Sequence, residues 1–199
     1  MAEQLTRTII PEYFASLELA LSIAEADRII VDDGVTYRRQ TFQNRCRIRT
    51  PDGLLWLSIP LKRNGMRRSI NEMQIDNSAR WPVKHWRSLE FNYRSSPYFE
   101  YYEPFIADLY TRRFDLLGEF TSATTVALVA ALDLGIDVEP AAGLGVHRSI
   151  VNEKRDDQRI EETPYRQNFQ GFLPGTSVID RLFNLGPSWA EGLTRASQL

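Results

Sequence analysis

The chain has a single cysteine, Cys46, no long apolar run, no glycine-rich phosphate loop and almost no net charge. One cysteine excludes an internal disulfide framework and any zinc site built on several thiolates, and it suits a reducing compartment. The formal charge of −2, from 24 basic and 26 acidic residues, gives no global reason to expect nucleic acid or a membrane as partner. The N-terminal run MAEQLTRTIIPEYF has no apolar core behind a basic start, so no secretory signal is expected. The most apolar stretch, Thr124 to Leu134, is shorter than the ~18–20 residues of a membrane span and contains Asp133. Cytoplasmic residence follows as the expectation. Gly143-Leu144-Gly145 lacks the third glycine and the strand–helix setting of a dinucleotide fingerprint, and neither a Walker-type run nor a G-x-S-x-G elbow is present.

What is there is an ordinary folded composition: 199 residues, 43% hydrophobic and 25% charged, enough for one core and one domain over residues 1–199. A short strand over Arg7 to Ile10, a helix over Tyr13 to Ala26 (apolar at Phe14, Leu17, Leu21 and Ala24) and a buried strand over Arg28 to Val31 have the spacing of a βαβ unit. Thr41 to Arg49 and Leu54 to Leu61 alternate around Thr50-Pro51-Asp52-Gly53, which predicts a β-hairpin. Ile70 to Ile75 reads as a further strand. From Asp76 or Asn77 the pattern turns helical, with Trp81, His85, Leu89 and Tyr93 on one face. Tyr98 to Leu109, Phe114 to Leu134 and Val178 to Leu185 continue it. Residues 146–163 are weakly patterned and charged, and are expected to form a mobile loop. The fold class is α/β: an N-terminal βαβ-like unit, a sheet containing a β-hairpin, and a largely helical second half packed on it.

The chemistry-bearing residues concentrate in the basic middle. Arg38, Arg39, Arg45, Arg47, Arg49, Lys62, Arg63, Arg67 and Arg68 stand against Asp52 alone. Arginine presents a rigid fork of donors that matches phosphate or carboxylate. Arg45, Arg47 and Arg49 therefore fit either a site for an anionic small molecule such as a nucleotide sugar, or a solvated strand face protected from edge-to-edge pairing by its charge. Cys46 lies on the opposite side of that strand and is either a nucleophile with His85 as base or a small core residue. His85, among aromatics on a helix, is either a general base or a core histidine bonded to a carbonyl. It has no second histidine or carboxylate at ligand spacing, so no metal site is expected. Asp32 and Asp33 end a strand, where α/β proteins place ligand groups, or simply make a turn. Asp180 and Asn184, one helical turn apart, share a face that meets ligand or water.

Several segments in order resemble the WbqC-like protein family: TFQNRCRI with Asn44-Arg45-Cys46, the helix bearing Trp81 and His85, Ser96-Pro97 with Phe99 and Tyr102, and the closing run Pro174 through Pro187. The resemblance covers about Pro11 to Pro187. It implies a bacterial surface-polysaccharide or natural-product gene cluster more than a mechanism. Longer members open with a His-Gln-Pro run. Here Ile9-Ile10-Pro11 stands in its place, which removes the phosphate-contacting histidine and puts adenylate-type chemistry in doubt. Gly175 replaces the asparagine of the closing motif. On these grounds the expectation is an enzyme acting on an activated sugar or anionic metabolite by acyl or aminoacyl transfer. Arg45, Arg47 or Arg49 would hold the anion, His85 would be the base, and Asp180 and Asn184 would orient the acceptor. The alternative is a non-catalytic binding or scaffold protein. No cofactor is named by the sequence, and a homo-oligomer is compatible with it.

Overall fold

A computed structural model describes residues 4–63, 68–141 and 160–195. Strand β1 (Thr6–Ile9), helix α1 (Leu17–Ala24) and strand β2 (Arg28–Val31) form the expected βαβ unit, with Thr6 opposite Arg28 and Ile9 opposite Val31 in parallel register. The helix is shorter than its apolar periodicity. Phe14 takes a left-handed φ of 49°, and Ser16 caps the helix by accepting from Leu19 N. Glu12, 1% exposed, accepts from Ser16 N at 2.7 Å and so holds the turn that starts α1. A short strand β5 (Asp137–Pro140) pairs in parallel on the far side of β2, giving the order β1-β2-β5.

The hairpin forms as its own two-stranded sheet. Strands β3 (Arg45–Thr50) and β4 (Gly53–Ser58) pair antiparallel, with Cys46 opposite Leu57 and Arg47 opposite Trp56. Gly53, at φ 128°, supplies the turn geometry that a side chain disfavours. Ile70 to Ile75 is not a strand: Ile70–Glu72 is a 3-10 turn closed by a Ser69–Glu72 capping box, and only isolated bridges join Ile75 to Leu61 and Gln74 to Leu116. Asp76 caps a second 3-10 turn, Asn77–Ala79, and the left-handed Arg80 (φ 48°) separates it from α2 (Trp81–Tyr93).

Helices α3 (Phe99–Thr111) and α4 (Leu117–Ala131) follow, and a last helix α5 (Val178–Leu185) is buried along almost its whole length. Ile9, Ile29, Ile48, Leu89, Phe120 and Phe183 belong to one hydrophobic cluster that joins the parallel sheet, the hairpin and the helices. Of the expected loop 146–163, residues 146–159 lie outside the described residues. Its end is ordered as strand β6 (Ile160–Glu162), paired antiparallel with β7 (Leu193–Arg195). Among the described residues, no helix is long and apolar enough to cross a membrane.

Candidate functional site

Strand alternation divides the expected site residues between the two faces of the hairpin. On the inner face, Cys46 is fully buried and its thiol lies against the Tyr13 hydroxyl. Burial pushes that thiol well above its ordinary pKa, the environment of a core residue rather than of an activated nucleophile. His85 is 8% exposed, and its Nδ1 stands 2.9 Å from Tyr13 Oη. The Ser58 main-chain carbonyl engages the ring as well. Burial lowers the imidazole pKa to about 4, so His85 is neutral near pH 7. Tyr110 Oη lies 2.6 Å from Tyr13 Oη. A consistent assignment of protons runs from Tyr110 to Tyr13 to His85 Nδ1.

The outer face carries Arg45, Arg47 and Arg49, and each donates to a main-chain carbonyl. Arg45 Nη2 bonds Gln40 O, Arg47 Nε bonds Gly175 O, and Arg49 Nη2 bonds Gln170 O at 2.9 Å. Arg49 also donates to Thr50 O and is 4% exposed, so it is a buried clamp. The solvated-face expectation therefore fails at Arg49, because the 165–177 segment covers it. Arg45 and Arg47 stay partly exposed, and their guanidinium carbons lie over the Trp56 ring at 4.1 and 5.0 Å from its centroid. Arg47 is reinforced by Ser177, whose Oγ accepts from Arg47 N at 3.0 Å and whose N donates to Arg47 O at 2.8 Å. Next to this face, Tyr165 to Phe172 line a cleft of about 430 Å³, and Arg49 sits over Phe169 at 5.6 Å.

Asp180 is 0% exposed. It accepts from Tyr93 Oη at 2.7 Å, from Tyr165 Oη and from Gln167 Nε2 at 3.2 Å. Burial raises its pKa, and the three donors offset that rise. Asn184 donates to Asp180 O at 2.8 Å within α5, and it is Asp180 that ties the helix to the surrounding segments. Beside it, Arg181 is equally buried. It donates to Trp189 O at 2.5 Å and stands 3.7 Å from Glu162, whose Oε1 accepts from Gly175 N at 2.5 Å. Sequence reading missed Arg181 and Glu162, since nothing in a polar surface pattern distinguishes a buried ion pair.

At the end of β2, Asp32 Oδ1 accepts from Gly34 N at 3.0 Å, a turn contact. Burial raises the pKa of Asp33, with the Asn71 amide 3.3 Å away. Gly118 packs so closely there that a Cβ would meet Asp33 Oδ2 at 2.7 Å and Asn71 Cα at 2.9 Å. The two carboxylates share the 32–44 connection that leads into Arg45.

The arrangement thus brings Arg45, Arg47 and Trp56 together as a cationic, aromatic surface, and it puts His85 and Cys46 behind the hairpin. No solved structure matches the chain. A curated relative, the uncharacterised protein Rv1507c of Mycobacterium tuberculosis, is 29% identical over 201 residues, spanning 82% of this chain and 86% of its own length. A family model matches residues 11–155, which hold α1 and β2 of the βαβ unit, the arginine hairpin and the Trp81–His85 helix, and leaves β1 and the closing Pro174–Pro187 run outside the match. By that match, the chain belongs to the WbqC-like protein family.

Proposed function

We propose that the protein acts in bacterial surface-polysaccharide or natural-product biosynthesis on an activated sugar or related anionic metabolite, transferring an acyl or aminoacyl group. The observation that carries this reading is the pairing of Arg45 and Arg47 over Trp56 on the outer face of the hairpin. Two guanidinium groups offer forks for a phosphate or carboxylate, and an indole offers an apolar edge for a sugar or base. An acceptor amine or hydroxyl then needs a base. Asp33, half-buried with a raised pKa at the carboxyl end of a parallel strand, suits that role better than His85, which is buried behind the hairpin against Tyr13.

The test is a thermal-shift screen against nucleotides, nucleotide sugars and acyl-coenzyme A thioesters, with Arg45→Ala as control. A ligand at a hundred times its Kd stabilises by about 2.7 kcal/mol, worth roughly 5–10 °C in a chain of this size. One class should raise the wild-type melting temperature and fail to do so in Arg45→Ala. A specific observation favours the alternative, a non-catalytic binding or scaffold protein: His85 and the arginines do not share one concave site. Silence across the whole panel selects that alternative.

A further inference from the structure

Four of the eight large apolar side chains that the described residues expose lie on one helical hairpin: Val83 and Phe91 on α2, Tyr101 on α3, and Tyr98 in the turn between them. Phe91 is 82% exposed and Tyr101 61%, whereas isolated exposed apolar residues elsewhere are unremarkable. Trp86 stacks on Phe99 and contacts Tyr110, which fixes the side of α2 that faces α3. At 100° per residue, Val83, Arg87, Phe91 and Arg94 then form a stripe pointing away from the core. On α3, Glu100, Tyr101, Pro104 and Asp108 form an exposed stripe opposite the buried Phe99, Tyr102, Ile106 and Leu109.

The two stripes carry opposite charge. On α2 the exposed charges are Lys84, Arg87 and Arg94, with Glu90 half-buried. On α3 they are Glu100 and Asp108, with Glu103 partly exposed, and just past its end the exposed Arg112 stands 3.7 Å from Asp108. We propose that this hairpin is a homodimer interface in which α2 of one copy lies across α3 of a second copy.

A two-fold axis running between the helices and parallel to them brings this about twice, so each basic stripe meets an acidic one. The spacing agrees. At 1.5 Å per residue, Arg87 and Arg94 lie about 10 Å apart along α2, and Glu100 and Asp108 about 12 Å apart along α3. Because the crossing helices are antiparallel, Arg94 faces Glu100 of the second copy and Arg87 faces its Asp108. An open cleft of about 670 Å³, bounded by Arg87, Phe91 and Arg94, receives Tyr101 of the second copy. Packing α2 against α2 would oppose like charges and is disfavoured.

Sedimentation velocity over a concentration series tests the arrangement on the full chain, with circular dichroism confirming that each variant is folded. Wild type should dimerise, less so at high salt. R87E/R94E alone and E100K/D108K alone should both be monomeric, because each sets like charge against like. An equimolar mixture of the two variants should form a heterodimer, since reversed α2 then meets reversed α3 on one side of the axis and native α3 meets native α2 on the other. A wild type that stays monomeric at submillimolar concentration overturns the proposal. So does a dimer that both variants retain, or a mixture that remains monomeric although each variant is folded.

Discussion

Replacing His85 by glutamine isolates one proton-linked contribution to stability. In the native state the imidazole is neutral down to about pH 4, against 6.5 in an exposed histidine, because burial penalises the cation. The folded pKa is therefore the lower one, and the unfolded chain binds more protons as pH falls below 6.5. The wild type must lose stability from pH 6.5 downward, with the loss levelling off once pH passes the folded value. A gap of about 2.5 pKa units corresponds to roughly 3 kcal/mol across that window. Glutamine can accept from Tyr13 without titrating, so its Oε1 stands in for Nδ1. Asp180 and Glu162, whose folded pKa values are raised, contribute with the opposite sign, but they do so in both proteins and cancel in the difference. The assay is urea denaturation of wild type and His85→Gln at half-unit steps from pH 7.5 to pH 4. The difference curve should favour the variant by about 3 kcal/mol more at pH 4 than at pH 7. A flat difference would show that His85 titrates normally and is not held neutral between Tyr13 and Ser58.

Gly175→Ala should destabilise by about 2 kcal/mol or more, because Gly175 sits at φ 81° and its missing Cβ leaves the space that the Arg47 guanidinium fills. In the Arg47→Ala background the steric part should vanish and about 1 kcal/mol of backbone cost remain, a non-additivity read from a double-mutant cycle in urea. Cys46 should react with a thiol reagent only at the rate of unfolding, because it is buried and protonated. Rapid labelling of the native protein by Ellman's reagent would contradict that placement.

Local signals carried much of the fold. The Ile29-Ile30-Val31 run marks β2, the Pro51-Asp52-Gly53 turn marks the hairpin, and the four-residue steps from Trp81 to Tyr93 mark a buried helix face. Ile70 to Ile75 was misread because apolar spacing outweighed the Ser69-x-x-Glu72 capping box, a signal equally present in the sequence. Strand β5 is four residues long with exposed ends, too short for alternation to announce it. The site was legible only as a separation: alternation correctly put Cys46 and the arginines on opposite faces. The acceptors of the arginines could not be read. Gly175 O and Gln170 O lie 128 and 121 residues further along, and a carbonyl leaves no mark in a sequence. Asp180 likewise looked like half of a surface pair until Tyr93, Tyr165 and Gln167 closed over it.

The long reach from Arg47 to Gly175 has a consequence for synthesis. At about 5–20 residues per second, the hairpin leaves the ribosome roughly 6–25 s before the carbonyl that Arg47 will clamp exists. Throughout that interval the strand stands finished but uncovered, its outer face presenting three guanidinium groups. Like charges keep two such nascent hairpins from pairing edge to edge. The arginines that fasten the tail of the completed chain thus serve first as its guard against aggregation, and the same donors change duty when residues 170–177 arrive.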